Sequence, residues 1–206
     1  MQTRISDFTT LFNLLWYRDF PVALGSIEWA KRADWTTHIA STVRQVASIT
    51  GMFSCFESGG RTDAEFQFAD RKVWAKLEWE WSEPRNDDVG ELAKLAGAAS
   101  TCEVCVFIGY SQLQFHDANL AKIKAEWAGV QKPLLAILVT FEQEGEWRYF
   151  DRLQTYLIDA DATSMIRDQP ALPWCVSNSR WQSLGSLEGS ERLTALVRYK
   201  NGNPGV

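Results

Sequence analysis

Three carboxylates in the middle third of the chain have the types and spacing to bind a hard cation. They are Asp63 in RTDAEFQF, and Glu78 and Glu80 in VWAKLEWEW. Both segments alternate apolar and polar residues, as half-buried strands do. The turn Ala69-Asp70-Arg71-Lys72 joins them. A hairpin centred on Asp70 and Arg71 puts Asp63 opposite Glu78, Glu65 opposite Lys76 and Gln67 opposite Trp74, with each pair on one side of the sheet. Like charges facing each other are destabilising, so something must offset them. One carboxylate can keep its proton, a cation such as Lys76 on the same face can neutralise them, or a metal can sit between them. Oxygen-only ligands select magnesium, manganese or calcium. Bound magnesium or manganese would acidify a water and stabilise charge on a phosphoryl group, which makes a phosphodiester a suitable substrate. The plain structural alternative is a wet sheet face on which Glu65 and Lys76 form an ordinary surface pair.

The elements that must position these residues can be read from period and punctuation. Residues 6–17 predict a helix with Phe8, Leu11, Leu14 and Leu15 as its stripe, ended by Pro21. Residues 34–50 predict a second helix, with Asp34 as N-cap and Ile39, Val43, Val46 and Ala47 on one face, closed by Gly51. The period then changes to two, giving strands over 52–57, 62–68 and 73–81. Asp88 and Glu91 read as a capping box for a helix over 89–100, with Leu92, Leu95, Ala96 and Ala99 inward. Residues 104–110 and 134–141 read as buried strands around a helix over 118–129 that turns Leu120, Ile123 and Trp127 inward. That spacing implies a right-handed crossover and a parallel pair. Residues 147–158 suit either a helix or a strand, 162–180 read as irregular, and 180–187 with 192–199 read as a late hairpin.

The order helix, three antiparallel strands, helix, strand, helix, strand resembles the core of the PD-(D/E)xK, or restriction-endonuclease-like, nuclease superfamily. The resemblance covers about residues 34–141. It implies an α/β fold with a mixed central sheet flanked by helices, in one domain over 1–206 with 142–206 as an extension packed on the core. Asp63 matches the family aspartate and Glu78 the acidic residue of the (D/E)xK motif. The family lysine falls at Glu80, so the motif here is Glu78-Trp79-Glu80, a variant also carried by some restriction enzymes. The resemblance implies a magnesium or manganese ion on Asp63, Glu78 and Glu80, with Glu80 as base or further ligand, and hydrolysis of DNA phosphodiester bonds. The missing positive charge falls to Lys76, or to Lys94 on the following helix. Glu28 is the candidate for the further glutamate that helices preceding this core often carry. Inactive members of the superfamily serve as protein- or nucleic-acid-binding domains, which supplies the competing expectation.

Bulk properties bound these readings. At 206 residues, 46% hydrophobic and 23% charged, the chain is ordinary for a globular protein; its ten tryptophans are not. A net charge of -5 gives no global attraction to DNA and counts against a broad DNA-binding surface. It leaves room for a local basic rim, a protein partner or a homodimer. No run of 18 apolar residues occurs, so no membrane span is expected. Nor is a signal-peptide pattern seen. Cys102 and Cys105 have CxxC spacing without a second pair, so buried thiols are favoured over a zinc site. The cysteine usage fits a cytoplasmic protein. Arg61 reads as a phosphate contact or as a solvated residue at the start of a strand, while His38 and His116 read as structural.

Overall fold

The computed structural model describes residues 2–21, 32–58, 62–86, 90–145, 147–160, 162–176 and 197–198. It is an α/β structure with a mixed central sheet covered by helices on both faces. Helices α1 (Gln2–Arg18) and α2 (Arg32–Ile49) come first. Strands β1 (Phe53–Ser58), β2 (Thr62–Gln67) and β3 (Val73–Trp79) follow, then α3 (Glu91–Ala98), β4 (Val104–Gln112), α4 (His116–Trp127) and β5 (Leu134–Glu144). Strands β6 (Trp147–Ile158) and β7 (Thr163–Pro170) complete a sheet ordered β1 to β7 in sequence, and β8 (Val197–Arg198) pairs with β6. β1–β2–β3 and β5–β6–β7 are antiparallel, whereas β3–β4–β5 are parallel. Antiparallel neighbours need only tight turns, while each parallel step needs a helical crossover, supplied here by α3 and α4.

Side-chain alternation sorts the core into two layers. Ala75, Leu77, Val104, Val106, Ile108, Leu135, Ile137 and Val139 face α1 and α2. Cys105, Phe107, Leu134, Ala136 and Leu138 face α3 and α4. Strands β4 and β5 are buried on both faces, so they read as continuous apolar runs. The first layer is rich in rings. Trp16 stacks on Trp35 at 5.7 Å, and Phe20, His38 and Phe150 close around them. Each such fully buried ring contributes about 2–3 kcal/mol. His38 is thus a core residue, and burial among these rings pushes its pKa down to about 4.

Several expectations are corrected. The stripe of α1 runs through Ile5, Phe8, Phe12, Leu15 and Trp16, whereas Leu14 is exposed and Leu11 half-buried. Asp34 lies inside the first turn of α2, where a carboxylate favours the positive helix end. In the hairpin, Glu65 pairs with Lys76 as expected, but Gln67 pairs with Val73 and Trp74 bulges. Phe68 N–H bonds to the Lys72 carbonyl at 2.9 Å, and Arg71 takes φ 67°. That closure sets the strands one residue out of step, and the bulge restores the register. It also turns Trp74 onto Phe8 and Phe66 beneath α1.

Helix α3 opens at Glu91 after Gly90, whose φ of 76° glycine adopts without steric cost. Asp88, its expected cap, lies outside the described residues. Residues 147–158 are strand, and 163–170 form the edge strand β7 rather than an irregular segment. Of the expected late hairpin, only residues 197–198 fall among those described. No helix among the described residues is long and apolar enough to cross a membrane.

Candidate functional site

The antiparallel ladder between β2 and β3 closes at Ala64 and Leu77, and Asp63 and Glu78 are the next residues outward. There a side chain takes over from the backbone: the Trp79 N–H donates to Asp63 Oδ2 at 2.8 Å. Asp63 and Glu78 both project onto the face covered by α3, as do Glu65 and Lys76. Helix α3 packs Leu92 and Leu95 into that layer. Glu91 and Lys94, one turn apart, then reach the carboxylates. Lys94 Nζ lies 2.9 Å from Glu78 Oε1 and 2.5 Å from Glu91 Oε2.

Glu78 is wholly enclosed. Its contact with Asp63 is close, yet neither Glu78 oxygen has a well-aligned hydrogen-bond donor. Charge therefore dominates. Burial pushes the Glu78 carboxyl up to about 9, with Lys94 opposing and Asp63 and Glu91 reinforcing. Burial also raises Asp63, against the pull of the Trp79 N–H. For Lys94, burial acts downward, but its bonds to Glu91 and Glu78 outweigh it and the net shift is upward. At neutral pH Glu78 therefore keeps its proton beside the charged Lys94 ammonium.

The other expected site residues lie apart from this group. Glu80 Oε1 accepts the Ser82 N–H at 2.8 Å and meets Arg32 Nη2 at 3.5 Å, so its carboxylate is turned away. Lys76 forms a buried ion pair with Glu65 at 3.1 Å, and Gln67 donates to the same carboxylate at 2.9 Å. What had read as a surface pair is a buried one. Glu28 and Arg61 lie outside the described residues. Sequence reasoning weighed Lys94 but treated Glu91 only as a cap. Their spacing of three on a helix was the signal that both could face one point.

Among the described residues no group of three or more His, Cys, Asp or Glu side chains is arranged to hold a metal. Asp63 and Glu78 supply two carboxyl groups, and magnesium is commonly held by one or two, with water and substrate completing its shell. Both Glu78 oxygens are enclosed, with the Lys94 ammonium 2.9 Å from one of them and the Asp63 carboxyl beside them.

A second polar cluster lies at the C-terminal end of β4. Tyr156 O–H donates to Gln154 at 3.0 Å, which leaves His116 Nε2 to donate to the Tyr156 oxygen at 2.9 Å. His116 Nδ1 then accepts from Ser111 at 2.9 Å. Asn119 donates to Ser111 and Glu83 and accepts from Arg85 N–H. This network ties the turn over Pro84–Asn86 to α4, and His116 holds a structural place. On the opposite face of the sheet, a hollow of about 370 Å³ is lined by Arg4, Asp7, Leu11, Ile49 and Met52.

No protein family matches the sequence, and no curated protein does. Among solved structures, the YaeQ protein of Pseudomonas syringae aligns with a TM-score of 0.27 and 10% identity, over 53% of this chain and 60% of that one. The YaeQ protein of Xanthomonas axonopodis pv. citri aligns at 0.21 and 5%, over 54% and 63%. The chain therefore spans less than two thirds of either YaeQ chain, and likenesses this slight carry no argument about function.

Proposed function

We propose that this chain is a metal-dependent nuclease that hydrolyses DNA phosphodiester bonds, with Asp63 and Glu78 holding magnesium or manganese. The observation that carries the reading is the enclosed Glu78 beside the half-buried Asp63, with the Lys94 ammonium 2.9 Å from Glu78. The sequence resemblance to the PD-(D/E)xK superfamily supports it, because the two carboxylates fall at that motif's acidic positions. A divalent ion held there supplies an acidified water and positive charge beside the phosphoryl oxygens. The chain's own residues do the rest. The Trp79 N–H fixes Asp63, α3 excludes bulk water from Glu78, and Lys94 is released from Glu78 to face the charge developing on the phosphate. Glu91 keeps Lys94 protonated and aimed. In this reading Lys94 takes the place of the lysine absent at Glu80, and Lys76 serves the fold.

A second reading has a specific observation behind it. Lys94 and the Glu78 proton already offset the acidic charge without a metal, as they would in an inactive nuclease-like domain that binds a partner. Cleavage of plasmid DNA with magnesium or manganese, by wild type, Asp63→Ala and Glu78→Ala, decides between them. Activity in wild type that both variants lose supports the nuclease; equal results in all three remove it.

A further inference from the structure

The CxxC segment takes no part in the function proposed above. Cys102 follows the short turn over Ala99–Thr101, and Cys105 is the second residue of β4. Their sulfurs are 3.5 Å apart. The backbone holding them is pinned on both sides. Glu103 N–H donates to the Trp74 carbonyl at 2.9 Å, and Cys105 N–H donates to the Pro133 carbonyl at 3.0 Å.

The two thiols are not equivalent. Cys105 is fully enclosed, with its sulfur 3.9 Å from the Leu95 carbonyl. Cys102 keeps slight exposure and stands beside Lys76, the cross-strand partner of Cys105. The two sulfurs share a hydrogen bond, and the Cys102 sulfur also lies 3.5 Å from the Ala99 carbonyl. The bond between the sulfurs is the largest influence lowering Cys102; burial opposes it, while the Lys76 charge and backbone N–H assist. The same bond, then burial, raises Cys105. Cys102 is thus the more acidic sulfur, and it is also the one that keeps some exposure. This is the division of labour that thiol–disulfide chemistry uses.

We propose that Cys102 and Cys105 form a redox-active dithiol that a small hydroperoxide closes to a disulfide, with Cys102 as the attacking sulfur. In the first step the Cys102 thiolate attacks a peroxide oxygen. The S–O bond forms, the O–O bond breaks, and the departing hydroxide takes a proton to become water. The Cys105 sulfur then attacks the Cys102 sulfenic acid. The S–S bond forms, the S–O bond breaks, and the leaving hydroxide takes the Cys105 proton. Two thiols and one hydrogen peroxide give one disulfide and two waters, the sulfurs losing the two electrons that the peroxide gains. The inference is independent of the nuclease reading.

The test is a time course of folded wild-type protein with hydrogen peroxide at neutral pH. Remaining thiols are alkylated and the tryptic peptide 95–122, which contains both cysteines, is weighed. The expected result is a peptide lighter by two hydrogens, restored by dithiothreitol, forming at least about tenfold faster than oxidation of Cys55 or Cys175. In Cys105→Ser, dimedone should label Cys102; in Cys102→Ser, Cys105 should stay reduced over the same period. If either serine variant fails to fold, the wild-type peptide decides alone. Oxidation of Cys175 ahead of this pair, or retention of both thiols, overturns the proposal.

Discussion

Replacing Glu78 by glutamine should stabilise the metal-free protein, by an amount that grows with pH. In the unfolded chain this carboxyl ionises at its ordinary value of 4.5; in the folded chain burial moves it to about 9. The folded state therefore binds the proton more tightly. The stability that proton confers is complete below the unfolded value and is lost as pH rises towards the folded one. At pH 7 the folded chain must hold a proton that the unfolded chain has released. Each pH unit above the unfolded value costs about 1.4 kcal/mol, so the penalty at pH 7 reaches ~3–4 kcal/mol as an upper bound. At pH 5 it is under ~1 kcal/mol. The amide is neutral in both states and carries no such penalty. Urea unfolding of wild type and Glu78→Gln at pH 5, 6, 7 and 8 should show the variant ahead by a widening margin. A margin that stays constant, or a variant less stable throughout, would refute the protonated, buried Glu78 on which the electrostatic account rests.

Other perturbations separate the neighbouring residues. Lys94→Ala should lower DNA cleavage by ~10²–10⁴-fold, while manganese binding by calorimetry is kept or strengthened because a competing cation is gone. Lys76→Met should cost ~3–5 kcal/mol in urea unfolding by stranding the buried Glu65 carboxylate; a change below ~1 kcal/mol would contradict the buried pair. Glu80→Gln should retain manganese affinity within about threefold, since that carboxylate is engaged by Ser82 and Arg32; loss of binding would return Glu80 to the site.

Much of the scaffold was legible because its signals were local. Gly51, the alternation in 62–68 and 73–81, and the apolar runs at 104–110 and 134–141 each carry their own structural instruction. The placement of Asp63 beside Glu78 followed from hairpin symmetry. Strand β7 was missed because an edge strand with mostly exposed side chains has no apolar alternation. It is held by distant contacts, such as the Tyr17 hydroxyl on the Pro170 carbonyl and Trp16 Nε1 on the Ala171 carbonyl. The Trp74 bulge depended on how the turn closed, which residue type alone does not set. Side-chain choice was least legible. The sequence favoured Lys76 over Lys94 for the site, and only tertiary packing gives Lys76 to Glu65 and Lys94 to Glu78.

The central claim is that Asp63 and Glu78 clasp one divalent ion, and manganese-soaked crystals test it most directly. The account predicts an anomalous peak touching carboxylate oxygens of both residues, with the Lys94 ammonium withdrawn from Glu78 and still on Glu91. A map at saturating manganese with no peak there, and Lys94 unmoved on Glu78, would contradict it.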